Sequence, residues 1–246
     1  MQLSGSDIEW IGRNYPGLIV SNDSRDHISG SLAFIMYFDE SNKQYIINPS
    51  DQSKSNKFRI QDEYQIEINF RSINRYSLPT ARETAGRIDN IARSKKMDLR
   101  DLHINSDGDA CLCFEFETAI HLPNGFNIPD YFYNLLIPFF YAQSYFEKYN
   151  EWPWGQYSHG DLGLFEWYYE YPNSVPKQLI YECISFLKRS NAWDKYKAIF
   201  QNKNDIKGHN CCICGSMNKF RKCHPNVLSG LWKFKNDIKL LSIKFD

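Results

Sequence analysis

The sequence contains no long apolar run and no recognisable export signal. Its most apolar stretch, Leu135–Ala142, is interrupted by Pro138 and is far shorter than the ~20 residues that a membrane-spanning helix needs. The first seven residues, Met1–Asp7, have neither the basic start nor the apolar segment of a signal peptide. We therefore expect a cytoplasmic protein that is not exported and has no membrane span.

Several catalytic motifs are also missing from the chain. It has no Gly-x-Ser-x-Gly segment, no glycine-rich phosphate-binding loop ending in Gly-Lys-Ser/Thr, and no His-Glu-x-x-His pair. Each of these motifs supplies the local geometry on which its enzyme class depends. The sequence therefore gives no support to a serine hydrolase, a nucleotide-driven enzyme or a metalloprotease.

The chain as a whole has no excess of charge of either sign, since Lys plus Arg and Asp plus Glu each total 29. We therefore expect no global attraction to nucleic acid or lipid. The charges are unevenly distributed, however, because residues 203–246 carry nine Lys or Arg and three Asp, a net charge of +6. This basic tail could bind a polyanion, or it could pair with the acidic remainder of the chain.

The sequence is rich in aromatic rings, with 17 Phe, 16 Tyr and 6 Trp. Hydrophobic residues make up 42% and charged residues 24%, which is typical of a folded protein and excludes a disordered chain. The composition predicts a core built largely of aromatic side chains. A chain of 246 residues is long enough for one main domain and a smaller appendage.

The hydrophobic pattern of the first half is typical of strands followed by a helix. Apolar residues at Ser31–Phe38 and at Tyr45–Ile47, separated by a polar turn, predict a β-hairpin. Alternation from Tyr64 to Phe70 predicts a further strand of an antiparallel meander. The apolar segment Ala110–Phe116 predicts a buried strand, and a helix is predicted from Pro129 to about Tyr149.

The second half is predicted to be a loop followed by helix. The aromatic segment Trp152–Tyr171 is predicted to be loop-like, whereas apolar residues recur at helical spacing from Lys177 to about Asn202. Strands that precede helices along the chain are typical of an α+β fold.

The strongest local signal is a cluster of cysteines near the C-terminal end. Four of the seven cysteines fall within residues 211–223, and without an export signal this clustering favours reduced thiols and a metal site over disulfides. Cys212 and Cys214 form one close pair of soft ligands, and Cys223 and His224 form a second. Two such pairs can close a tetrahedral Zn²⁺ shell, which is structural because no position remains for water.

The segment Cys212–His224 resembles the SEC-C motif, a zinc-binding knuckle found at the C-terminus of the SecA motor and in many other bacterial proteins. Met217 occupies a position where that family usually has glycine. The resemblance implies a structural Zn²⁺ and a role in docking a partner. Cys211 and His209 lie close enough in sequence to remain alternative ligands.

A second candidate site surrounds Cys111. Acyl transfer through cysteine needs an accessible thiol and a donor that can stabilise an oxyanion, and Cys111 and Asn105 could supply both. The residues alone leave a core role for Cys111 open, because cysteine is often buried and apolar residues follow it. Asp107 and Asp109 are expected to raise the pKa of this thiol, since nearby negative charge disfavours the thiolate.

Several short segments follow one another in a distinctive order between residue 8 and about residue 150 and just beyond it. They are Leu78-Pro79, His103-Ile104-Asn105, Gly108–Leu112, and in addition Arg82–Ile88, Trp152–Gly155 and His159-Gly160. The order of parts resembles that of ubiquitin-conjugating enzymes, in which a strand meander precedes a His-Pro-Asn tripeptide, then a Gly-x-[Ile/Val]-Cys-Leu segment and a long helix. Within that family the chain is similar to bacterial homologues of anti-phage operons, including those of cyclic-oligonucleotide-based signalling systems (CBASS).

This resemblance implies that Cys111 forms a thioester, that Asn105 stabilises the oxyanion and that His103 positions the loop. The acyl donor would be the C-terminus of a partner protein, in related operons a cyclic-oligonucleotide synthase, the cGAS-like nucleotidyltransferase. The acceptor would be a lysine or another amine, for example on a target protein. The main alternative is a binding protein that uses the same fold to scaffold the synthase without turnover, with Cys111 in its core.

We therefore expect an α+β protein with a ubiquitin-conjugating-enzyme-like antiparallel sheet meander packed on helices. The expected domains are residues 1–175, the conjugating-like domain; 176–207, a helical extension; and 208–246, a SEC-C-like zinc module. Cys113, two residues after Cys111, is predicted to lie in the core. His159 is a further candidate for a base near the thioester.

Overall fold

The chain folds into two compact units, Met1–Trp154 and Gly155–Asp246. The first unit combines a sheet with helices and the second is helical, which confirms the predicted α+β class. The division at residue 154 comes before the boundary predicted at residue 175. The computed structural model describes residues 1–39, 41–42, 44–48, 58–71, 78–172 and 175–245.

The first unit is built on a five-stranded antiparallel sheet in the order β1-β2-β4-β5, with β3 also paired to β2. The predicted hairpin of β2 and β3 is confirmed. The arrangement is not a simple meander, because the long β2 pairs with β1 and β3 along one edge and with β4 along the other. The strands are β1 (Leu18–Val20), β2 (His27–Asp39), β3 (Gln44–Ile47), β4 (Arg59–Asn69) and β5 (Thr80–Glu83).

Alternate residues of β2 and β4 form the centre of the core. The buried positions in β4 include Tyr64, Ile66 and Ile68, which confirms the alternation predicted for this segment, because successive side chains of a strand point to opposite faces. Tyr64 stacks on Phe34 of β2, with 6.5 Å between ring centroids, and also contacts Phe140 at 4.8 Å. Aromatic rings thus form a substantial part of the core of this unit, but aliphatic side chains such as Ile66 and Ile68 are more numerous, so the prediction of a largely aromatic core is too strong.

The helix predicted from Pro129 to Tyr149 is confirmed, although it contains a π-helical turn at Phe132–Leu136. Pro138 has no N–H to donate to the carbonyl of Asn134 four residues earlier. The hydroxyl of Tyr45 donates to this carbonyl instead, at 3.4 Å. The helices of this unit are α1 (Gly5–Asn14), α2 (Arg87–Lys95), α3 (Thr118–His121), α4 (Ile128–Tyr131) and α5 (Ile137–Tyr149), with 3₁₀ turns at Leu99–Leu102 and Glu115–Glu117.

The second unit differs from the sequence-based expectation in two ways. The helical segment predicted from Lys177 to about Asn202 is divided into two helices, Lys177–Lys188 and Trp193–Gln201, and a helix forms where a loop is predicted. The segment Trp152–Tyr171 is predicted as a loop, but Asp161–Glu170 is helical because its aromatic residues pack on the last helix: the Tyr168 and Phe234 rings lie 4.8 Å apart. Gly230 allows this close approach, since a Cβ there would collide with the Phe165 carbonyl oxygen. The helices are α6 (Asp161–Glu170), α7 (Lys177–Lys188), α8 (Trp193–Gln201), α9 (Phe220–Cys223) and α10 (Pro225–Leu240).

The predicted strand Ala110–Phe116 is also wrong. Ala110 makes an isolated bridge to Ile104, and the chain then turns into a 3₁₀ segment at Glu115–Glu117. Across the described residues, no helix combines the length and the apolar character that crossing a bilayer requires.

Candidate functional site

The segment from His103 to Cys111 forms a short irregular hairpin. The N–H of Cys111 donates to the carbonyl of His103 at 2.8 Å, and the N–H of Asn105 donates to the carbonyl of Asp109 at 2.9 Å. Gly108 closes the turn with a φ of 88°, a left-handed conformation that favours glycine. The sequence between Asn105 and Cys111 thus forms a tight turn, and Cys111 lies at its end.

The hairpin is attached to the edge strand β5. The N–H of Ala110 donates to the carbonyl of Ala81 at 2.7 Å. From the next position of β5, the Arg82 guanidinium donates to Oδ1 of Asp109 at 2.9 and 3.1 Å and to the carbonyl of Asp107 at 2.7 Å. Backbone and side-chain bonds from one strand therefore fix the hairpin that carries Cys111.

Cys111 is exposed as a residue, while its sulfur lies 3.8 Å from the carbonyl oxygen of Cys113. Partial burial of the thiol among protein atoms raises its pKa above the ordinary value. The predicted direction of the shift is confirmed, but its cause is loss of hydration rather than the charges of Asp107 and Asp109. Arg82 forms an ion pair with Asp109, which compensates one of the two negative charges.

Cys113 is the more deeply placed of the two thiols. Its side chain packs against the core of the first unit, and its sulfur lies 3.7 Å from the hydroxyl oxygen of Thr118. Burial raises the pKa of Cys113 to about 12. Because a thiol reacts as its thiolate, Cys111 is the better placed nucleophile of the pair.

The structure gives Asn105 and His103 different environments. Asn105 is exposed at the outer part of the hairpin. The His103 ring packs edge-on against the Trp152 ring at 5.5 Å, and its backbone has a left-handed φ of 57°. His103 thus anchors the base of the hairpin, whereas Asn105 is exposed to solvent. His159 is exposed and belongs to the second unit.

The structure brings together the four predicted metal ligands. The sulfurs of Cys212, Cys214 and Cys223 and a ring nitrogen of His224 all lie within 4.8 Å of one another. The Cys214 and Cys223 sulfurs are 3.6 Å apart, and the Cys212 sulfur lies 3.3 Å from Nδ1 of His224. In a tetrahedron with zinc–sulfur bonds of about 2.3 Å, two sulfurs lie roughly 3.8 Å apart. The donor set and its spacing therefore fit a four-coordinate metal ion.

The turn between the two ligand pairs supports this cluster. The Ser216 hydroxyl lies 3.2 Å from the Cys214 sulfur and 3.1 Å from the Cys223 sulfur. Hydrogen bonding to the side chain and backbone of Ser216 lowers the pKa of Cys214 to about 6, because hydrogen bonding to the charged form favours the thiolate. Met217 adopts a φ of 61°, in the left-handed region where glycine would be unstrained.

The alternative ligands Cys211 and His209 do not belong to the four-residue group that the described part of the chain brings together. Cys211 forms a bridge with Lys219, and both Cys211 and His209 are exposed. The N–H of Cys212 donates to the Asn218 carbonyl at 2.8 Å. It is the sulfur of Cys212, and not that of Cys211, that belongs to the cluster.

Two supporting side-chain contacts were not identified from the sequence. Arg82 lies far along the chain from Asp109, and no local pattern links them. The contact of the Ser216 hydroxyl with the Cys214 sulfur could have been found, because a hydroxyl two residues after a ligand cysteine is well placed to contact its sulfur.

Neither a protein-family model, nor a curated protein, nor a solved structure matches the chain. The geometry of its own residues is therefore the basis for a functional proposal. Two features stand out: one accessible thiol on an anchored hairpin, and one convergent set of four metal donors.

Proposed function

We propose that the protein is a ubiquitin-conjugating-type acyl carrier that forms a thioester at Cys111. The observation that carries the proposal is the position of this thiol, exposed at the end of a hairpin that backbone bonds and Arg82 fix in place. An acyl carrier needs such an arrangement, because the thiol must meet a carbonyl carbon from another polypeptide and then present it to an acceptor.

The raised pKa of Cys111 defines the class of acyl donor. A thiol that is mostly protonated at neutral pH attacks an amide poorly, but an acyl adenylate or a thioester needs less thiolate. The sulfur attacks the carbonyl carbon, a C–S bond forms, and the leaving group departs with its electron pair while the thiol proton passes to solvent. An amine then attacks the thioester carbonyl, a C–N bond forms, the C–S bond breaks so that Cys111 leaves as thiolate, and the nitrogen loses one proton to solvent.

The resemblance to ubiquitin-conjugating enzymes of anti-phage operons gives these steps a biological setting. In that setting the donor is the C-terminus of a cGAS-like cyclic-oligonucleotide synthase, and the acceptor is an amine of a target. The order of an N-terminal helix, an antiparallel sheet, a cysteine-bearing loop and then a long helix is what this proposal requires. Asn105 would donate to the oxyanion, and His103 would hold the loop.

We further propose that Cys212, Cys214, Cys223 and His224 hold one structural Zn²⁺. Three thiolates and one imidazole are a donor set that zinc prefers, and four protein ligands leave no position for a reacting water. Metal analysis of the purified protein should find about one equivalent of zinc. Less than half an equivalent, with freely reactive thiols at Cys212 and Cys223, would contradict the assignment.

Thioester formation can be tested with a synthetic peptide that carries a C-terminal thioester, which supplies the activated carbonyl without a separate activating enzyme. We expect the protein to gain the mass of the acyl peptide and to lose it on treatment with a reducing thiol or a primary amine. Cys111→Ala should remove the fast-forming adduct and leave only slow acylation of the other exposed thiol, Cys211, whereas Cys113→Ala should retain the fast-forming adduct. An adduct that survives in Cys111→Ala and disappears in Cys113→Ala would move the nucleophile to Cys113.

The same experiment separates the enzyme from the scaffold. If no thiol-sensitive adduct forms on the wild-type protein, the acyl-carrier proposal fails. Association with the synthase that is unchanged in Cys111→Ala would then favour the non-catalytic binding role.

A further inference from the structure

The outer edge of β1 has unused backbone hydrogen-bonding groups. The N–H of Ser21 donates to the His27 carbonyl, and the N–H of Ser31 donates to the Gly17 carbonyl. In an antiparallel pair, hydrogen-bonded and non-hydrogen-bonded residue pairs alternate, and these two bonds fix which pairs are which. Val20, opposite Ile28, is in a non-hydrogen-bonded pair and therefore directs its N–H and carbonyl away from β2. Within the described residues no hydrogen bond involves these two groups.

This edge borders a groove of about 430 Å³. One wall is formed by α1 through Ile8, Ile11 and Gly12, and the other is formed by β1 and the turn that follows it. Ile19, in the middle of β1, is 70% exposed. An exposed strand edge beside a groove is a template on which another polypeptide can add a strand.

The charge of the residues that line the groove indicates which kind of polypeptide segment it can bind. Arg25 is exposed and is the one charged residue among those that line it. A groove lined by both apolar and polar residues, whose one charged lining residue is a cation, fits an extended segment that carries apolar side chains and a carboxylate. The uncovered position at Gly12 leaves room for a side chain of that segment, because a Cβ there would meet no atom within 4 Å.

We infer that the groove between α1 and β1 binds an extended, acidic segment of a partner polypeptide by strand addition to β1. The segment would bond to the N–H and carbonyl of Val20, place apolar side chains against Ile8 and Ile19, and direct an Asp or Glu side chain toward Arg25. This binding site does not depend on the chemistry of Cys111.

The test uses the full chain and a display library of random ten-residue peptides, each extended by linkers at both ends so that no free carboxyl terminus is present. Enriched peptides are synthesised with blocked termini, and their dissociation constants are measured by fluorescence anisotropy. We expect the enriched sequences to contain Asp or Glu beside β-branched or aromatic residues. No enrichment over a blank surface would overturn the inference.

Val20→Pro removes the outward N–H and leaves the β1–β2 bonds in place, so it should weaken the selected peptides about tenfold or more. Gly12→Leu is a second variant that should fold well, since leucine favours a helix more than glycine does, and it should block the groove with a similar loss. Peptides that bind both variants with unchanged dissociation constants would show that they do not occupy this groove, and would contradict the inference.

Two charge-reversal variants test whether Arg25 recognises the acidic side chain of the peptide. Arg25→Glu should weaken the acidic peptides about tenfold, whereas Arg93→Glu, on α2, should leave their affinity unchanged. Equal effects of the two reversals would refute a specific role for Arg25. Sedimentation at the same protein concentration tests the other occupant, a second copy of the chain: a dimer that Val20→Pro dissociates would overturn the inference in favour of self-association.

Discussion

The two cysteine sites of this protein are organised in opposite ways. In the second unit, three sulfurs and one imidazole nitrogen converge on a common point, and each donor has another donor or a hydroxyl within 3.6 Å. In the first unit, Cys111 lies at the end of a hairpin, and its sulfur has the Cys113 carbonyl as its acceptor. Convergence produces a closed site, whereas an anchored but accessible thiol leaves room for a substrate.

The difference shows that the number of cysteines does not decide their chemistry. Both sites have exposed cysteines, and in both the surrounding backbone fixes the sulfur. What differs is whether other soft ligands complete a tetrahedron around it. We therefore expect metal removal to affect the second unit alone, and changes in the hairpin to affect the first unit alone.

Removal of the proposed Zn²⁺ should have the largest effect. The knuckle is small, and a structural Zn²⁺ in such a module contributes about 10 kcal/mol or more to its folding. We expect a strong chelator to release zinc and to expose residues 208–224 to protease, while Met1–Trp154 stays protected. Cys223→Ser should do the same without a chelator. A cleavage pattern that the chelator does not change would contradict a structural metal.

The pH dependence of alkylation at Cys111 should be the next largest effect. Burial raises the pKa of this thiol, and the thiolate is the reactive form. The rate of carboxamidomethylation should therefore keep rising, by about tenfold per pH unit, through the pH of ~8.5 at which a free cysteine begins to level off. A rate at Cys111 that levels off below pH 8.5 would show that the thiol is not desolvated.

Loss of the Arg82 ion pair should have a moderate, local effect. Arg82 holds both Asp109 and the Asp107 carbonyl, and a partly exposed pair of this kind contributes roughly 0.5–1 kcal/mol. In Arg82→Gln, we expect amide hydrogen exchange at Asn105 and Cys111 to accelerate about two- to fivefold. Arg100→Gln, which breaks an ion pair with Asp98, is the matched control and should leave these amides unchanged.

The smallest predicted effect concerns the turn of the metal knuckle. Met217 is 77% exposed and has a φ of 61°, so it is strained without gaining burial. Met217→Gly should therefore stabilise the zinc-loaded second unit by about 0.5–1 kcal/mol. Thermal unfolding with zinc present would measure this gain. A lower midpoint would mean that the methionine side chain makes a stabilising contact.

The sequence could predict features whose signal lies within a few residues. The four metal donors fall in two close pairs, and the β2–β3 hairpin and the alternation in β4 are visible as local periodicity. Features that depend on distant residues were missed or misassigned. The helix Asp161–Glu170 is stabilised by packing on Phe234. The segment after Ala110 is not a strand, because the N–H of Ala110 donates to the Ala81 carbonyl and the N–H of Cys111 donates to the His103 carbonyl.

The most direct test of the central claim compares Cys111 with Cys211, another exposed cysteine of the same chain. The zinc-loaded protein is mixed with a peptide thioester, and the rate of acyl transfer to each cysteine is followed by peptide-resolved mass spectrometry. If Cys111 is an acyl-carrier thiol, it should be acylated about tenfold faster or more than Cys211, even though its pKa is raised. Equal rates at the two cysteines would reduce Cys111 to an ordinary surface thiol and contradict the account.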